Sequence, residues 1–287
     1  SGKLQRAVQE KMGSSLSYIH IGDQKYSDIE ASRRIGWDAL YYPNVTEQGR
    51  PYRQSGMDSL AASFYKGLVN SRLHCGVCPR SGLYEYGYAY GGIMAVGYCQ
   101  YLERLVKQEG FDQLLFVARD GYILRRIYEK WFKASDCDYI PFSRFAAYQL
   151  TMERNWKSFL SQVVLPRART APAEKISEVL KICDIEYLEG YFLDYGLQSD
   201  MYFGDEEYQI IEKIFREHIG QIKKQYEAKE RAAQKYFADI IGTHKKICIV
   251  DLGWQGTGAM CLKYFLELKC RMDVHVSGAL MGMYGND

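Results

Sequence analysis

Asp23 and Asp28 are the first residues of the chain whose types and spacing could do chemistry. They lie in the run Tyr18-Ile19-His20-Ile21-Gly22-Asp23-Gln24-Lys25-Tyr26-Ser27-Asp28, whose apolar stretch, 17–21, reads as a buried strand. Ser27 with Glu30 three positions on is a capping-box pattern, so a helix is predicted to open at Ser27 and run to Gly36. A second strand is predicted over 38–42. Asp23 would then hang from the carboxyl end of a strand and Asp28 from the first turn of the next helix, the edge where open α/β sheets bind ligands. Two carboxylates converging there suit Mg²⁺, a hard cation that takes oxygen ligands and keeps several waters. The competing reading gives Asp28 to the helix dipole and Asp23 to the turn.

A second constellation sits far downstream. Gln113-Leu-Leu-Phe-Val-Ala118 and Lys246-Ile-Cys-Ile-Val250 are buried-strand patterns. The first ends in Arg119-Asp120-Gly121, the second in Asp251-Leu252-Gly253-Trp254-Gln255-Gly256-Thr257-Gly258. Strands separated by helical crossovers imply a mostly parallel sheet, so both polar ends would face one edge. Arg119, Gly121, Gln255, Gly256, Thr257 and Gly258 are then the ligand-binding candidates of one cleft, and Asp120 and Asp251 its catalytic candidates. Gly256-Thr257-Gly258 stands at a predicted helix start, where free N–H groups attract anions and glycine lets a phosphate come close. The expected ligand is a phosphorylated small molecule or a sugar nucleotide. The alternative is that these are tight strand-to-helix turns, with Arg119 paired to an acid.

The elements that must hold these residues form two α/β regions. Residues 44–56 are polar, carry Gly and Pro, and read as a linker. The boundaries are thus 1–45, a linker over 46–56, and a second domain over 57–287 with a helical insertion at about 145–241. Helical patterns are predicted over 57–70, 83–108 and 122–132, then along 206–241 with a bend at Gly220, and from 258 to about Lys269. Short strands are predicted over 139–143, where Pro141 suggests an edge, and over 274–284. A formal charge of +2 with no basic block argues against nucleic acid. No apolar run approaches the ~20 residues of a membrane span, and the start has no signal-peptide pattern, so a cytoplasmic protein is expected. Of the eight cysteines, only Cys75 and Cys78 form a CxxC pair, too few ligands for a structural zinc site. Cys248 and Cys261 fall in apolar patterns as small hydrophobes. Tyr84, Tyr86, Tyr88, Tyr90 and Tyr98, interleaved with glycines, suggest close helix packing; a tyrosine-lined groove is the other reading.

Residues 3–43, with Gly22-Asp23 and Asp28 as a GDxxxxD unit followed by a helix, Gly36 and a strand, resemble the C-terminal part of the haloacid dehalogenase (HAD) superfamily. The resemblance implies that Asp23 and Asp28 hold Mg²⁺ and that Lys3, upstream, neutralises a phosphoryl group. That family's nucleophile is the first aspartate of a DxDx(T/V) strand upstream of the lysine, so the chain is expected to begin inside such a domain and to carry an incomplete hydrolase site. The segments 116–124, 141–144, 249–257 and 282–285 are similar to the C-terminal region of bacterial proteins described as predicted HAD-superfamily hydrolases, often linked to surface-polysaccharide genes. The implied fold is the end of a HAD-like Rossmannoid domain followed by a second Rossmann-like parallel-sheet domain. Two further likenesses compete. Asp120-Gly121-Tyr122-Ile123-Leu124 resembles half of a HAD first motif, with Ala118 at the nucleophile position; residues 249–258 resemble a phosphoribosyltransferase diphosphate-sugar loop, with Leu252 in place of a second acid. A non-catalytic binding or scaffold module in surface-glycan assembly is the remaining alternative.

Overall fold

The computed structural model describes residues 2–44, 56–74 and 80–284. The expected linker over 46–56, Gly56 apart, and the Cys75/Cys78 pair lie outside the described residues. The chain divides into two compact units after Met94, later than the linker suggested by sequence. The helices α3 (Ser59–Leu73) and α4 (Gly82–Tyr86), the latter continuing as a π-wound stretch Gly87–Gly91, supply the reason. They bury Tyr65, Val69, Leu73 and Ala89 as a small cluster of their own, which Tyr65 pins by donating to the Ala89 carbonyl at 2.7 Å.

The first unit begins with α1 (Lys3–Met12) and a strand–helix–strand motif: β1 (Ile19–Gly22), a π-wound turn Lys25–Glu30, α2 (Ala31–Arg33) and β2 (Asp38–Tyr41). β1 and β2 are parallel, Ile19 opposite Asp38, as expected of such a crossover. Trp37 stacks on Tyr18 at 4.5 Å, and the Gln5 amide reaches the Ser32 hydroxyl at 3.3 Å, tying α1 to the motif. Two readings are corrected. The apolar run of β1 is not buried: Ile19 is 66% and Ile21 60% exposed, because within the described residues of this unit the two-stranded sheet leaves that face uncovered. The helix also opens at Lys25 rather than Ser27, because the Asp28 carboxylate takes the Gln24 N–H and moves the cap upstream.

The second unit is a four-stranded, wholly parallel sheet in the order β4-β3-β5-β6, with β3 Gln113–Val117, β4 Asp136–Ile140, β5 Lys246–Trp254 and β6 His275–Met283. Side-chain alternation sends Leu114, Phe116, Cys248 and Val250 to one face, against Tyr98, Cys99 and Leu102 of α5 (Gly92–Glu109) and Leu124 and Tyr128 of α6 (Gly121–Trp131). Leu115, Val117, Ile247 and Ile249 go to the other face. There they meet Ala147 and Leu150 of α7 (Arg144–Leu150), and Phe237 and Ile241. With helices on both faces, continuous apolar strands are the expected pattern. Cys248 and Cys261 are buried, unpaired core residues, as their settings suggested.

The insertion follows α7 as α8 (Met152–Phe159), α9 (Ile176–Ile182), α10 (Glu189–Asp194) and the 37-residue α11 (Asp205–Ile241). It has its own core around Phe159, Leu188, Phe192, Ile214 and Phe215. The bend of α11 falls at His218 (φ −116°, ψ 16°), not at Gly220. β4 ends at Ile140 rather than running to Ser143, since Pro141 cannot donate to a ladder. A last helix, α12 (Thr257–Lys263), continues π-wound to Lys269. Among the described residues no helix is long and apolar enough to cross a membrane.

Candidate functional site

Consecutive strands of the second unit diverge at one point. From β3 the chain moves outward to β4, then returns through the insertion to pair β5 on the other side of β3. β3 and β5 are parallel neighbours, Gln113 opposite Ile247 and Phe116 opposite Val250, so their carboxyl ends flank a topological switch point, where α/β sheets leave a crevice. A cleft of about 150 Å³ opens there, lined by Ala118, Ser143, Arg144, Asp251, Gln255 and the Gly256-Thr257-Gly258 turn.

Each wall has a local cause. β5 runs past Val250 to Trp254, so Asp251 lies within the strand, opposite Leu280 of β6. Its Oδ1 accepts the Leu252 N–H at 2.8 Å, and the Tyr98 phenol, buried beneath, donates between the carbonyls of Ala279 at 2.8 Å and Asp251 at 3.1 Å. Burial pushes the Tyr98 phenol well above its ordinary value, which keeps it a donor. Gly256 precedes α12 in a left-handed conformation, φ 68°. The Ala118–Arg119 peptide bond, just beyond β3, and the Gly253–Trp254 bond, at the end of β5, are cis.

The Asp251 carboxyl is raised above its ordinary range. Burial is the main cause, partly countered by the Leu252 and Gly253 N–H groups; the Asp120 charge adds to the rise, and Arg144 opposes it. A group so placed holds a proton more readily than a free aspartate.

Of the residues singled out by sequence, Asp251, Gln255, Gly256, Thr257 and Gly258 line one cleft. Asp120 reaches it only through its charge and is itself exposed, as is Arg119, which does not line it. Gly121 is buried for a packing reason: a Cβ there would stand 2.8 Å from the Phe116 carbonyl carbon. Thr257 also lines a groove with Tyr148 and Gln162, so it faces the insertion as well as the strand ends.

The cation of the cleft is Arg144, which closes the 141–144 segment but was not among the candidate site residues. Ser143 caps α7 by accepting the Ala146 N–H at 3.2 Å, which puts Arg144 at the first helical position. A cation at a helix N-terminus opposes the dipole, a cost that an anionic ligand would offset. That misplacement, directly after a parallel strand, is the signal that could have found it. Among the described residues no hydrogen bond or ion pair engages the Arg144 guanidinium.

The first unit arranges its acids differently. Asp28 Oδ2 accepts the Gln24 N–H at 2.9 Å, and Oδ1 accepts the Ser27 hydroxyl at 3.0 Å and lies 3.6 Å from His20 Nε2. The carboxylate folds back over Gly22, where a Cβ would meet Asp28 Oδ2 at 2.3 Å. Asp23 accepts from the Asn44 amide at 2.8 Å. Lys3, the first residue of α1, is exposed. Both Asp28 oxygens thus accept hydrogen bonds within the turn, and no group of three metal-ligating side chains forms among the described residues.

The Gln24 N–H bond leads the causes that hold the Asp28 carboxyl below its ordinary value. Its contribution to stability is therefore full above the unfolded value of about 3.9 and is lost as pH falls through the lower folded value. Asp28→Ala is expected to speed exchange of the Gln24 amide hydrogen at pH 6–7, equally with and without Mg²⁺. Protection of that amide that appears only when Mg²⁺ is added would return the site to metal binding.

No protein-family model matches the chain, and no curated protein sequence matches it.

Proposed function

We propose that the second unit binds a phosphorylated small molecule or sugar nucleotide in the cleft at the ends of β3 and β5. The phosphate would sit against Arg144 and the backbone of the Gly256 turn, with Gln255 and Thr257 beside it. Asp251, half-buried and raised, would accept a hydroxyl of the same ligand or move its proton. Asp120 would keep that carboxyl raised from outside. The observation that carries this reading is the joining of an uncommitted arginine, a half-buried carboxyl and a glycine turn at the topological switch point of a parallel sheet.

On the HAD resemblance, Mg²⁺-dependent hydrolysis of phosphoryl esters is the activity proposed for a protein that joins a DxDx(T/V) strand to this sequence, with Lys3 on the phosphate. By itself the chain, which contains no such motif, is proposed to be inactive as a phosphatase. A binding or scaffold role in surface-glycan assembly uses the same cleft without chemistry, and a phosphoribosyltransferase-like transfer uses Asp251 against a diphosphate sugar.

Calorimetric titration with inorganic phosphate and with glucose 1-phosphate tests the cleft. Arg144→Ala, an exposed substitution, is expected to weaken both by roughly 10- to 100-fold, the ~1.5–3 kcal/mol of a charge-assisted hydrogen bond. Binding that survives Arg144→Ala but is lost on Arg119→Ala would move the anion site to the other side of β3.

A further inference from the structure

We propose that the groove between α8 and the helix that opens at Thr257 receives a hydroxyl-rich body, so that the second unit recognises a sugar phosphate rather than a nucleotide. This deepens the phosphate reading and rests on it.

The groove encloses about 490 Å³, within the range of small-molecule sites, and shares Gln255 and Thr257 with the strand-end cleft. A ligand whose phosphate lay against Arg144 would thus find the rest of its length directed past Thr257 into this space. One wall presents Arg154, Asn155, Ser158 and Gln162. Lys263 and Glu267 stand opposite, paired with each other at 2.7 Å, and Lys263 also donates to the Val276 carbonyl at 2.8 Å, so that wall is fixed.

The first wall is uncommitted where it matters. Gln162 accepts the Tyr148 phenol at 2.7 Å through Oε1, which leaves its amide nitrogen facing no partner among the described residues. Nor does any hydrogen bond among them engage the Ser158 hydroxyl, and the Arg154 guanidinium has only the ring of Tyr264, 5.1 Å away. A mixture of free donors and one hydroxyl suits ligand hydroxyls, which both give and accept.

A nucleobase would need a flat face to stack on. Tyr264 already carries Arg154, and Tyr148 is 1% exposed, so the groove offers no open aromatic face among the described residues. Those two facts favour a sugar over a base.

The test titrates the full chain with inorganic phosphate, glucose 1-phosphate, phenyl phosphate and uridine monophosphate. Glucose 1-phosphate is expected to bind at least about tenfold tighter than phosphate and tighter than the other two esters, the gain of two or three neutral hydrogen bonds. Ser158→Leu, which fills the groove, is expected to remove that gain and leave phosphate affinity unchanged. Gln162→Ala, at an exposed position, is expected to remove roughly three- to tenfold of it, with thermal denaturation confirming that the variant is folded. Phosphate binding with no gain for the sugar ester overturns this inference and leaves the phosphate site standing. So does tightest binding of uridine monophosphate, or a gain that both variants keep. No phosphate binding in the native chain overturns the phosphate reading and the inference with it.

Discussion

Lys269→Met is expected to lower the stability of the second unit by about 3–5 kcal/mol, the cost of leaving buried charge without its partner. Lys269 donates to Glu153 at 2.8 Å, to the Leu150 carbonyl at 3.0 Å, and lies 2.7 Å from Glu230. The three charged side chains are each only 19–22% exposed. They join three separate elements: α8, α11 and the π-wound end of the last helix. Removing the ammonium strands two glutamates together, one of which already has an oxygen, Glu153 Oε1, buried without a partner. Burial pulls the Lys269 pKa down, and the hydrogen bonds to Glu153 and Glu230 more than offset it, so the net direction is upward. A folded value above the unfolded one means a contribution that is complete below about pH 10.4 and lost as pH rises through the folded value. Urea denaturation at pH 7 measures the loss. The triple variant Lys269→Met, Glu153→Gln, Glu230→Gln should recover most of it, because neutral amides are far cheaper to bury than unpaired carboxylates. A single variant as stable as the parent would show that water already screens the network.

Gly253→Val is expected to cost roughly 3 kcal/mol or more and to abolish phosphate binding at the same time. Gly253 has φ 127°, which side-chain-bearing residues rarely adopt, and a Cβ there would stand 1.9 Å from the carbonyl oxygen of Gly282, its ladder partner. The β5–β6 pairing must open at that point, and with it the segment that carries Trp254, Gln255 and Gly256 into the cleft. Gly282→Ala is the control. Its Cβ meets only the Trp254 ring, at 3.3 Å, and Trp254 is half-exposed and can turn aside. The measurement is thermal denaturation alongside a phosphate titration. Equal effects from the two variants would contradict the asymmetry of this contact.

The parallel sheet of the second unit was legible in the sequence because its inner strands are short apolar runs, each followed by a helix, the pattern that burial on both faces gives. The pairing of β3 with β5 followed from the same spacing, and so did the meeting of Asp251, Gln255, Gly256, Thr257 and Gly258 at one edge. The GD turn of the first unit was legible too, as a parallel strand–helix–strand motif. What sequence could not decide was which polar group a neighbour would claim. Asp28 reads equally well as a metal ligand or a cap, and the Gln24 N–H, brought to 2.9 Å by the folding of the turn, takes it. Arg119 and Arg144 are both arginines following strands, yet only Arg144 lines the cleft, a choice made by the path of the backbone beyond each strand. Ile19 and Ile21 look buried in one dimension, but burial is a property of what packs on the strand. The groove beside Thr257 was the least legible of all, since its two walls lie about a hundred residues apart in the chain and meet only because the insertion folds back beside the sheet, where long-range packing rather than local pattern sets the distance.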